Sequence, residues 1–492
     1  MALLFSKKSD EVMSEKSLKK NISLNLFYQI FLIITPFITA PYLSRVLEAD
    51  GIGVCSYTTS IQAFFALFAV LGKSSYGLRE IARCRDDRAE LSRTFWEIEL
   101  LSVITSLICI AIWIVFALHS DSYEILFLIL TINFLFSVFD ISWFYAGLEE
   151  FKYTIIRNII FKLLGIILIF VFVRQKSDVW IFVLINSVSN ALGALSMWLY
   201  LRNFLIKFSI RELRVFRHLK ETLVYFVPTI SSSVYTYLDK AMIGGITHDE
   251  FENGYYEQAT KIISIAKSIG VYAVTGVMGS RMAYMFKVSQ KKEILSVIEK
   301  SFDFILLLSI GLCFGIFAVA DYFVPVFFGN GYERTVPVLQ ILCPIVVIVG
   351  ISNCLGTHYY TPAGFRGKSS VFIIIASVCN LIFNCIFIPL YGSFGAAFGS
   401  VLAELIVAAL YFAFCKGYCN LKVLIKLSWK KVCAGLIMLV ALRLMVVRLM
   451  PSIIGLILVV GTGIAVYFLV LFILRDSALI SQLKNVFRGK MV

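Results

Sequence analysis

The chain has 492 residues, of which 59% are hydrophobic and 15% are charged, and its formal net charge is +14. A soluble domain of this length could not bury so much apolar surface in one core. Apolar runs of about 20 residues recur along the chain, long enough to cross a ~30 Å hydrocarbon layer as helices. Because lipid offers no partner to bare backbone groups, the composition predicts an all-α polytopic membrane protein.

We predict fourteen membrane spans, preceded by a polar cytoplasmic segment at residues 1–21. In chain order the spans are 22–46, 54–78, 94–118, 123–146, 154–173, 179–201, 221–245, 254–280, 301–320, 335–359, 369–389, 394–415, 432–449 and 452–474. An even number of spans places both termini on the same side of the membrane.

The basic residues are distributed unevenly around these spans. A total of 34 lysines and arginines lie on the termini and on alternate loops, whereas the opposite loops contain only Arg174, Lys176, Arg334 and Arg448. By the positive-inside rule this asymmetry predicts that both termini are cytoplasmic. Membrane orientation therefore accounts for the net positive charge, and we expect no nucleic-acid partner.

A short internal repeat relates the first and seventh spans. Tyr42-Leu43-Ser44-Arg45 is similar to Tyr237-Leu238-Asp239-Lys240, and each copy is followed by a glycine, Gly53 or Gly254, that opens the next span. Because six spans separate the copies, the two have the same orientation, as in transporters built from parallel repeats. The repeat predicts two six-helix lobes related by a pseudo-twofold axis.

The predicted domains follow from this repeat. Spans 1 to 6 form an N-lobe at 22–218, and spans 7 to 12 form a C-lobe at 219–416. Two appended spans, 13 and 14, lie within 417–474, and a cytoplasmic tail occupies 475–492.

Ionisable side chains inside spans are candidate functional residues, since each costs about 2.5–3.5 kcal/mol at a helix centre. In span eight, Glu257, Lys261 and Lys267 share one helix face, and the first two have the favourable i, i+4 spacing of an ion pair. We interpret this face as the lining of a cationic cavity, with a structural ion pair between helices as the alternative. Arg45 and Lys240 occupy equivalent repeat positions and are assigned to the same cavity.

Other charged residues in or near the spans have two possible roles, ion coupling or pairing between helices. This group comprises Asp140, Asp239, Glu257, Glu404 and Lys162. Three more charged residues, Lys73, Asp303 and Arg443, are expected to reach a membrane interface by extending their side chains.

Motifs for catalysis are not found in the sequence. The four histidines lack metal-ligand spacing, and neither a G-x-x-x-x-G-K-[ST] phosphate loop nor a G-x-S-x-G nucleophile motif occurs. The eleven cysteines contain no C-x-x-C pair. The sequence therefore predicts a transporter with no cofactor and no metal site, rather than an enzyme.

An ordered set of motifs gives the chain a family resemblance. The motifs are Pro41–Leu47, Tyr76–Ala82, Asp140–Phe144, Leu238–Gly244, Gly254–Ala259 and Ile388–Ala397. In these the chain resembles the polysaccharide-biosynthesis branch of the multidrug/oligosaccharidyl-lipid/polysaccharide flippase superfamily. Members of that branch export lipid-linked units for O-antigen, capsule or exopolysaccharide.

The resemblance implies a flippase of a prokaryotic inner (plasma) membrane that moves an isoprenyl-diphosphate-linked oligosaccharide repeat unit to the outer leaflet by alternating access. A polysaccharide polymerase and glycosyltransferases are the expected protein partners. The membrane potential, or a proton or sodium gradient, would drive transport. The residues assigned to the diphosphate in the cavity are Arg45, Lys240, Lys261 and Lys267, and those assigned to a cytoplasmic gate are Arg79 and Arg281.

Three other interpretations of the sequence stay open, one of which is a scaffold for a polysaccharide synthesis complex. Of the other two, the first is an ion-coupled drug or cation antiporter of the same fold, whose cavity would favour carboxylates and aromatic side chains over lysines. The second is a membrane polysaccharide polymerase or acyltransferase, which is expected to carry a large outer loop. The short loops of this chain favour the flippase over the second.

Overall fold

The computed structural model describes residues 2–206, 213–269, 282–288 and 291–487. Within these ranges the regular secondary structure is entirely helical. Ten helical segments of the described chain are long and apolar enough to cross a membrane. The prediction of an all-α polytopic membrane protein is therefore confirmed, while the exact number of fourteen spans stays a prediction.

Nineteen α-helices follow one another along the described chain. The first ten are α1 (Ala2–Val70), α2 (Lys73–Cys84), α3 (Arg88–Leu118), α4 (Glu124–Leu130), α5 (Ile132–Phe139), α6 (Ser142–Gly147), α7 (Phe151–Phe172), α8 (Val179–Leu201), α9 (Leu219–Thr247) and α10 (Glu250–Lys267). The others are α11 (282–288), α12 (Lys291–Phe327), α13 (Thr335–Leu342), α14 (Pro344–Leu355), α15 (Arg366–Tyr391), α16 (Ser393–Ala413), α17 (Leu421–Val446), α18 (Ile453–Ile473) and α19 (Ser477–Phe487).

The chain divides into two compact units. Unit 1 comprises residues 1–47 and 58–233, and unit 2 comprises 48–57 and 234–492. In unit 1, α2 packs on α3 and α6, and α8 packs on α5 and α7. In unit 2, α15 packs on α16, and α12 packs on α14 and α17. The lobe boundaries inferred from the repeat stay a prediction.

Aromatic side chains dominate the interior of both units. In unit 1 the rings of Phe95, Trp143, Phe144 and Tyr145 belong to one buried cluster. In unit 2 a second cluster includes Phe302, Tyr359, Tyr360 and Tyr411. Large rings bury more apolar area than most side chains, so a few of them hold several helices together within each unit.

Some predicted spans differ from the observed helices. Most of the first two spans lies in α1, which is kinked into two helices at Glu48 (φ 59°). The second span continues past the turn at Leu71 and Gly72 into α2. Span four is divided among α4, α5 and α6 by breaks at Thr131 and at Asp140. At the second break the carboxylate of Asp140 accepts hydrogen bonds from the backbone N–H and hydroxyl of Ser142. Span nine is longer than predicted, since α12 begins at Lys291 and buries Ile294 and Ile298 one turn apart.

The internal repeat is visible as a reciprocal contact within unit 2. A Cβ atom on Gly53 would lie 1.8 Å from the carbonyl oxygen of Glu250, and one on Gly254 would lie 1.9 Å from that of Ala49. Each glycine thus packs against the carbonyl of the residue four positions before the other glycine. Only glycine permits this approach of the two backbones. The same close contact therefore requires glycine at both positions of the repeat.

Candidate functional site

Glu257 lies at the centre of a charged cluster in unit 2. Its Oε2 is 2.6 Å from the Nζ of Lys240 on α9, and its Oε1 is 3.2 Å from the Nζ of Lys261, one turn further along α10. The hydroxyl of Ser56 also donates a hydrogen bond to Oε2, at 2.9 Å. The i, i+4 pair is present as predicted, and the repeat-derived Lys240 joins it. The cluster has two cations for one carboxylate, and the exposed fraction of the Lys261 side chain is 37%.

Asp239, the neighbour of Lys240 on α9, has a different environment. It is 1% exposed, and its carboxylate accepts hydrogen bonds from Tyr256 Oη, Ser400 Oγ and Asn384 Nδ2, each at 2.6 Å. These three partners are neutral and come from α10, α16 and α15. A buried charge that is compensated only by neutral groups is costly, so the site would gain from a bound proton or cation.

The Asp239 site also has the oxygen atoms that a hard cation prefers. The carboxylate, the hydroxyls of Tyr256 and Ser400, and the amide oxygen of Asn384 are oxygen donors of the kind that coordinate sodium-like ions. Oδ1 of Asn384 is buried and makes no hydrogen bond with any group among the described residues. Within the described chain there is no cluster of three His, Cys, Asp or Glu side chains that could hold a metal ion.

Lys267 and Glu404 lie in the same unit, close enough for their charges to interact. Lys267 is the last residue of α10 and is partly buried. It interacts electrostatically with Glu404 on α16. The sequence placed both residues inside spans but did not indicate that they face each other. The rest of predicted span eight, at 270–280, and the gate residue Arg281 that follows it lie outside the described residues.

The remaining predicted residues lie in unit 1. Arg45 is exposed, and its guanidinium donates to the carbonyl of Pro41 at 3.0 Å. Lys162 is exposed on α7. Asp140 is 3.9 Å from the guanidinium of Arg157. Arg79 pairs with Glu80 at 2.9 Å.

Arg79 also contacts aromatic rings of unit 1. It donates a hydrogen bond to the hydroxyl of Tyr225, and its guanidinium lies 5.1 Å from the centre of that ring and 5.9 Å from that of Tyr76. Such contacts hold an arginine in a fixed position while leaving part of its surface exposed.

Sequence reasoning missed several buried charges. Lys73 was expected to reach a membrane interface, which is wrong: it is 2% exposed, and its Nζ is 3.3 Å from Glu99. The reason is a turn with positive φ at Leu71 and Gly72, which ends α1 and directs the next helix inward. The two glutamates near the start of span three, Glu97 and Glu99, were the available signal.

Two further charged groups were also missed. Asp303, whose reach to a membrane interface stays a prediction, pairs at 2.6 Å with the fully buried Lys431, which also binds Asp476 at 2.9 Å. In unit 1 the buried Glu97 accepts from Arg217 and lies 2.8 Å from His218. Burial lowers the pKa of His218 below its usual value. Arg443 forms an ion pair with Asp321.

The comparisons with known proteins place the chain in a family. The model of the family described as "Polysaccharide biosynthesis protein" matches residues 18–279, more than half of the chain. The chain belongs to this family. It is 23% identical over 401 residues to a protein of Shigella dysenteriae named as an O-antigen transporter, covering 79% of this chain and 98% of that protein.

Solved structures share the fold of the chain. A structure of the lipid II flippase MurJ in an inward closed conformation matches with a TM-score of 0.71 and 17% identity, over 93% of this chain and 99% of that one. An inward-facing multidrug resistance MATE family transporter of the MOP superfamily matches with a TM-score of 0.52 and 15% identity, over 78% and 97% of the chains. This member of the polysaccharide biosynthesis family therefore has the fold of a multi-pass membrane transporter.

Proposed function

We propose that the protein is a flippase for an isoprenyl-diphosphate-linked oligosaccharide repeat unit, which it moves from the cytoplasmic to the outer leaflet of a prokaryotic inner membrane. Membership of the polysaccharide biosynthesis family and the similarity to an O-antigen transporter support this substrate class. The fold shared with a lipid II flippase supports the reaction type.

The observation that carries the proposal is the excess of positive charge around Glu257. Lys240 and Lys261 contribute two ammonium groups to one carboxylate, and Lys267 lies on the same helix as Lys261. Lysine ammonium groups are compact charges that bind phosphate well. In the proposed mechanism these lysines and Arg45 attract the diphosphate in a central cavity that opens alternately to each side. Arg79 and Arg281 receive it at the cytoplasmic gate.

The energy source in this proposal is the membrane potential, with cation exchange as an additional drive. Moving an anion outward from a negative cytoplasm is favourable by about 2.3 kcal/mol per charge per 100 mV. A proton or sodium ion bound at Asp239 would add coupling, and its neutral oxygen-rich surroundings support that assignment. In this scheme Glu404, Asp140 and Lys162 stabilise contacts between helices or relay the coupling ion.

The test is deletion of the gene in its native host, followed by an assay of the surface glycan and of the leaflet distribution of its lipid-linked precursor. We expect the surface polymer to be lost and the precursor to accumulate on the cytoplasmic face. Precursor that reaches the outer face but is not polymerised would instead favour a polymerase or acyltransferase. A normal glycan would refute the proposal.

A drug or cation antiporter is the second candidate. The MATE family transporter with the same fold and the presence of Asp239, Glu257 and Glu404 in unit 2 favour it. It predicts new drug sensitivity with an unchanged glycan in the deletion strain. The lysine pairs that neutralise Glu257 make this carboxylate a poor receptor for an organic cation, which favours the flippase.

A further inference from the structure

Three lysines from separate segments of unit 2 converge on one small aromatic surface. The Nζ of Lys291 lies 4.9 Å from the ring centre of Tyr418, while those of Lys368 and Lys416 lie 5.2 Å and 4.8 Å from that of Phe365. Lys368 and Lys416 thus share one ring, and their charges lie within about one Debye length of each other, ~8–10 Å. We call Lys291, Lys368 and Lys416, with the two rings beneath them, the lysine cluster.

The aromatic surface beneath the lysine cluster is fixed by the core. The ring of Tyr359, which is 1% exposed, stacks on Tyr418 at 4.7 Å and contacts Phe365 at 5.9 Å. Phe286 also packs against Tyr418, at 5.6 Å. The lysines therefore rest on rings held by the interior of the unit, unlike lysines on a mobile surface.

The backbone holds the lysine cluster together as well. Lys416 and Gly417 both have positive φ, 50° and 74°, and the turn they form directs the carbonyl of Lys416 toward the Nζ of Lys291, at 3.2 Å. A left-handed conformation is uncommon for a residue other than glycine. The turn therefore fixes two of the three lysines relative to each other at a conformational cost.

The lysine cluster carries three positive charges with which no carboxylate of the described residues is in direct contact. None of the three lysines forms an ion pair with a carboxylate among residues 2–206, 213–269, 282–288 and 291–487. Lys368 also lies in the first turn of α15, where the helix dipole disfavours a cation and favours an anion. The start of α17, at Leu421, follows the same turn as Lys416. An anion bound between the lysines would stabilise this arrangement.

The surroundings of the lysine cluster indicate what kind of anion it fits. Val371, one turn after Lys368, is 51% exposed, and Phe414, two residues before Lys416, is 55% exposed. Exposed apolar side chains at a membrane surface are suited to contact acyl chains. A ligand at this place therefore meets positive charge and lipid-facing side chains together, as an amphiphile with an anionic head does and inorganic phosphate does not.

The positive-inside rule explains why lysines occur on this side of the membrane but not why they converge. Lys152, Arg202 and Lys220 are exposed basic residues of unit 1 that the sequence places on the same side. None of these three makes a cation–π contact or an ion pair among the described residues. These three residues therefore show how basic residues are arranged when they only set the membrane orientation, and the lysine cluster can be compared with them.

We propose that the lysine cluster binds the phosphate head of a membrane lipid at the cytoplasmic surface, and that this lipid is the isoprenyl diphosphate before it enters the transport path. The choice of the isoprenyl diphosphate rests on the proposed function. An anionic phospholipid offers the same phosphate chemistry and is the alternative source. The cluster then concentrates substrate at unit 2 and supplies a docking position separate from Lys240, Lys261 and Lys267.

The test compares the full-length wild type with Lys291→Gln/Lys368→Gln/Lys416→Gln and with the control Lys152→Gln/Arg202→Gln/Lys220→Gln, which loses the same charge. Each protein is placed in phosphatidylcholine nanodiscs and titrated with farnesyl diphosphate, with farnesol as the uncharged probe. We expect the cluster variant to bind farnesyl diphosphate at least tenfold more weakly and the control within twofold of wild type. Farnesol binding should be the same in all three proteins.

A second arm identifies the source of the phosphate. The same proteins are purified from phosphatidylglycerol-containing nanodiscs, and bound lipids are counted by native mass spectrometry. Loss of phosphatidylglycerol adducts in the cluster variant with unchanged farnesyl diphosphate binding would overturn the substrate-docking role and assign the cluster to phospholipid. Wild-type binding of both probes by the cluster variant would overturn the proposal altogether.

Two controls separate this proposal from protein misfolding and from the flippase proposal. Lys291→Arg/Lys368→Arg/Lys416→Arg keeps the charge and should retain farnesyl diphosphate binding within threefold, and the thermal unfolding midpoint of all variants should be that of wild type. Export is then measured in the deletion strain. If the Gln variant loses binding but exports normally, the docking role is refuted while the flippase proposal is unaffected.

Discussion

Asp239 and Glu257 are two carboxylates of unit 2 that the same two helices hold in opposite ways. On α10 the adjacent residues Tyr256 and Glu257 serve the two sites, because Tyr256 donates to Asp239 while Glu257 binds Lys240. Glu257 is surrounded by ammonium groups, and Asp239 by neutral donors. The first site keeps lysines in place and carries net positive charge, whereas the second leaves a charge uncompensated. This difference is the basis on which we propose anion attraction at Glu257 and its lysines, and cation uptake at Asp239.

Removal of the Glu257 charge should have the largest effect. Glu257→Gln leaves Lys240 and Lys261 facing each other without a counter-charge, so we expect export to fall at least tenfold. The free energy of unfolding should fall by about 3 kcal/mol, the low end of the range for breaking a buried pair, since Lys261 is partly exposed. Glycan export in the deletion strain and thermal unfolding of the purified protein measure the two effects.

Glu257→Asp is the control for this change, because it keeps the charge and should retain more export than the Gln variant. A Gln variant with wild-type export and stability would show that the lysines do not depend on Glu257, and the contrast between the two carboxylates would fail.

Lys267 tests whether positive charge beyond the Glu257 cluster matters. Lys267→Ala removes the cation that faces Glu404 and should reduce export at least fivefold with normal membrane insertion, while Lys267→Arg should retain part of it. Export in the deletion strain, with immunoblotting of the membrane fraction, checks both. Full export by the alanine variant would refute a cationic cavity at this position.

The Asp239 site should respond differently to neutralisation. Asp239→Asn keeps the shape and most hydrogen bonds, so the free energy of unfolding should change by no more than about 1 kcal/mol. Transport into vesicles should lose its response to proton or sodium gradients but keep its response to voltage.

The surface residue Asp121 supplies the matched control for that experiment, as Asp121→Asn makes the same chemical change at an exposed position. If the Asp239→Asn protein still responds to the gradients as wild type does, Asp239 is not the coupling residue.

The smallest effect on export is expected at Ser56. Ser56→Ala removes one hydrogen bond of 2.9 Å to Glu257 but leaves both lysines in place. We expect a loss of about 1.5 kcal/mol in the free energy of unfolding and export within twofold of wild type. A loss of export as large as that of Glu257→Gln would mean that orientation of the carboxylate, rather than its charge, governs the site.

Local features of this fold were predictable from the sequence, because they depend only on the spacing of residues along a helix or on the repeat. The Glu257–Lys261 pair needs only helical spacing, and the glycine match between Gly53 and Gly254 needs only the repeat. The helical class follows from the lipid environment. The sequence could not indicate that Lys240 joins Glu257, because the two lie on different helices and their side chains meet only after packing.

The surroundings of Asp239 were beyond sequence reasoning for the same reason. Asn384 and Ser400 come from α15 and α16, and nothing in their local patterns marks them as partners of a residue on α9. For Lys73 the sequence failed locally, because a turn next to the residue was not recognised. Its position near the end of a predicted span suggested an exposed side chain, and the turn at Leu71 and Gly72, which buries it, has no strong signature apart from one glycine.

The reciprocal packing of Gly53 and Gly254 also bears on the ancestry of the chain. Each glycine meets a backbone carbonyl in the other copy, which is the form of an isologous contact, in which one patch pairs with itself. In a homodimer of a half-length chain, a single glycine position would be enough for this packing. The glycine of each subunit would meet the backbone carbonyl of the other subunit. In the present chain each copy carries a steric constraint imposed by the other, although α10 contains two lysines and the corresponding part of α1, at 51–70, contains none.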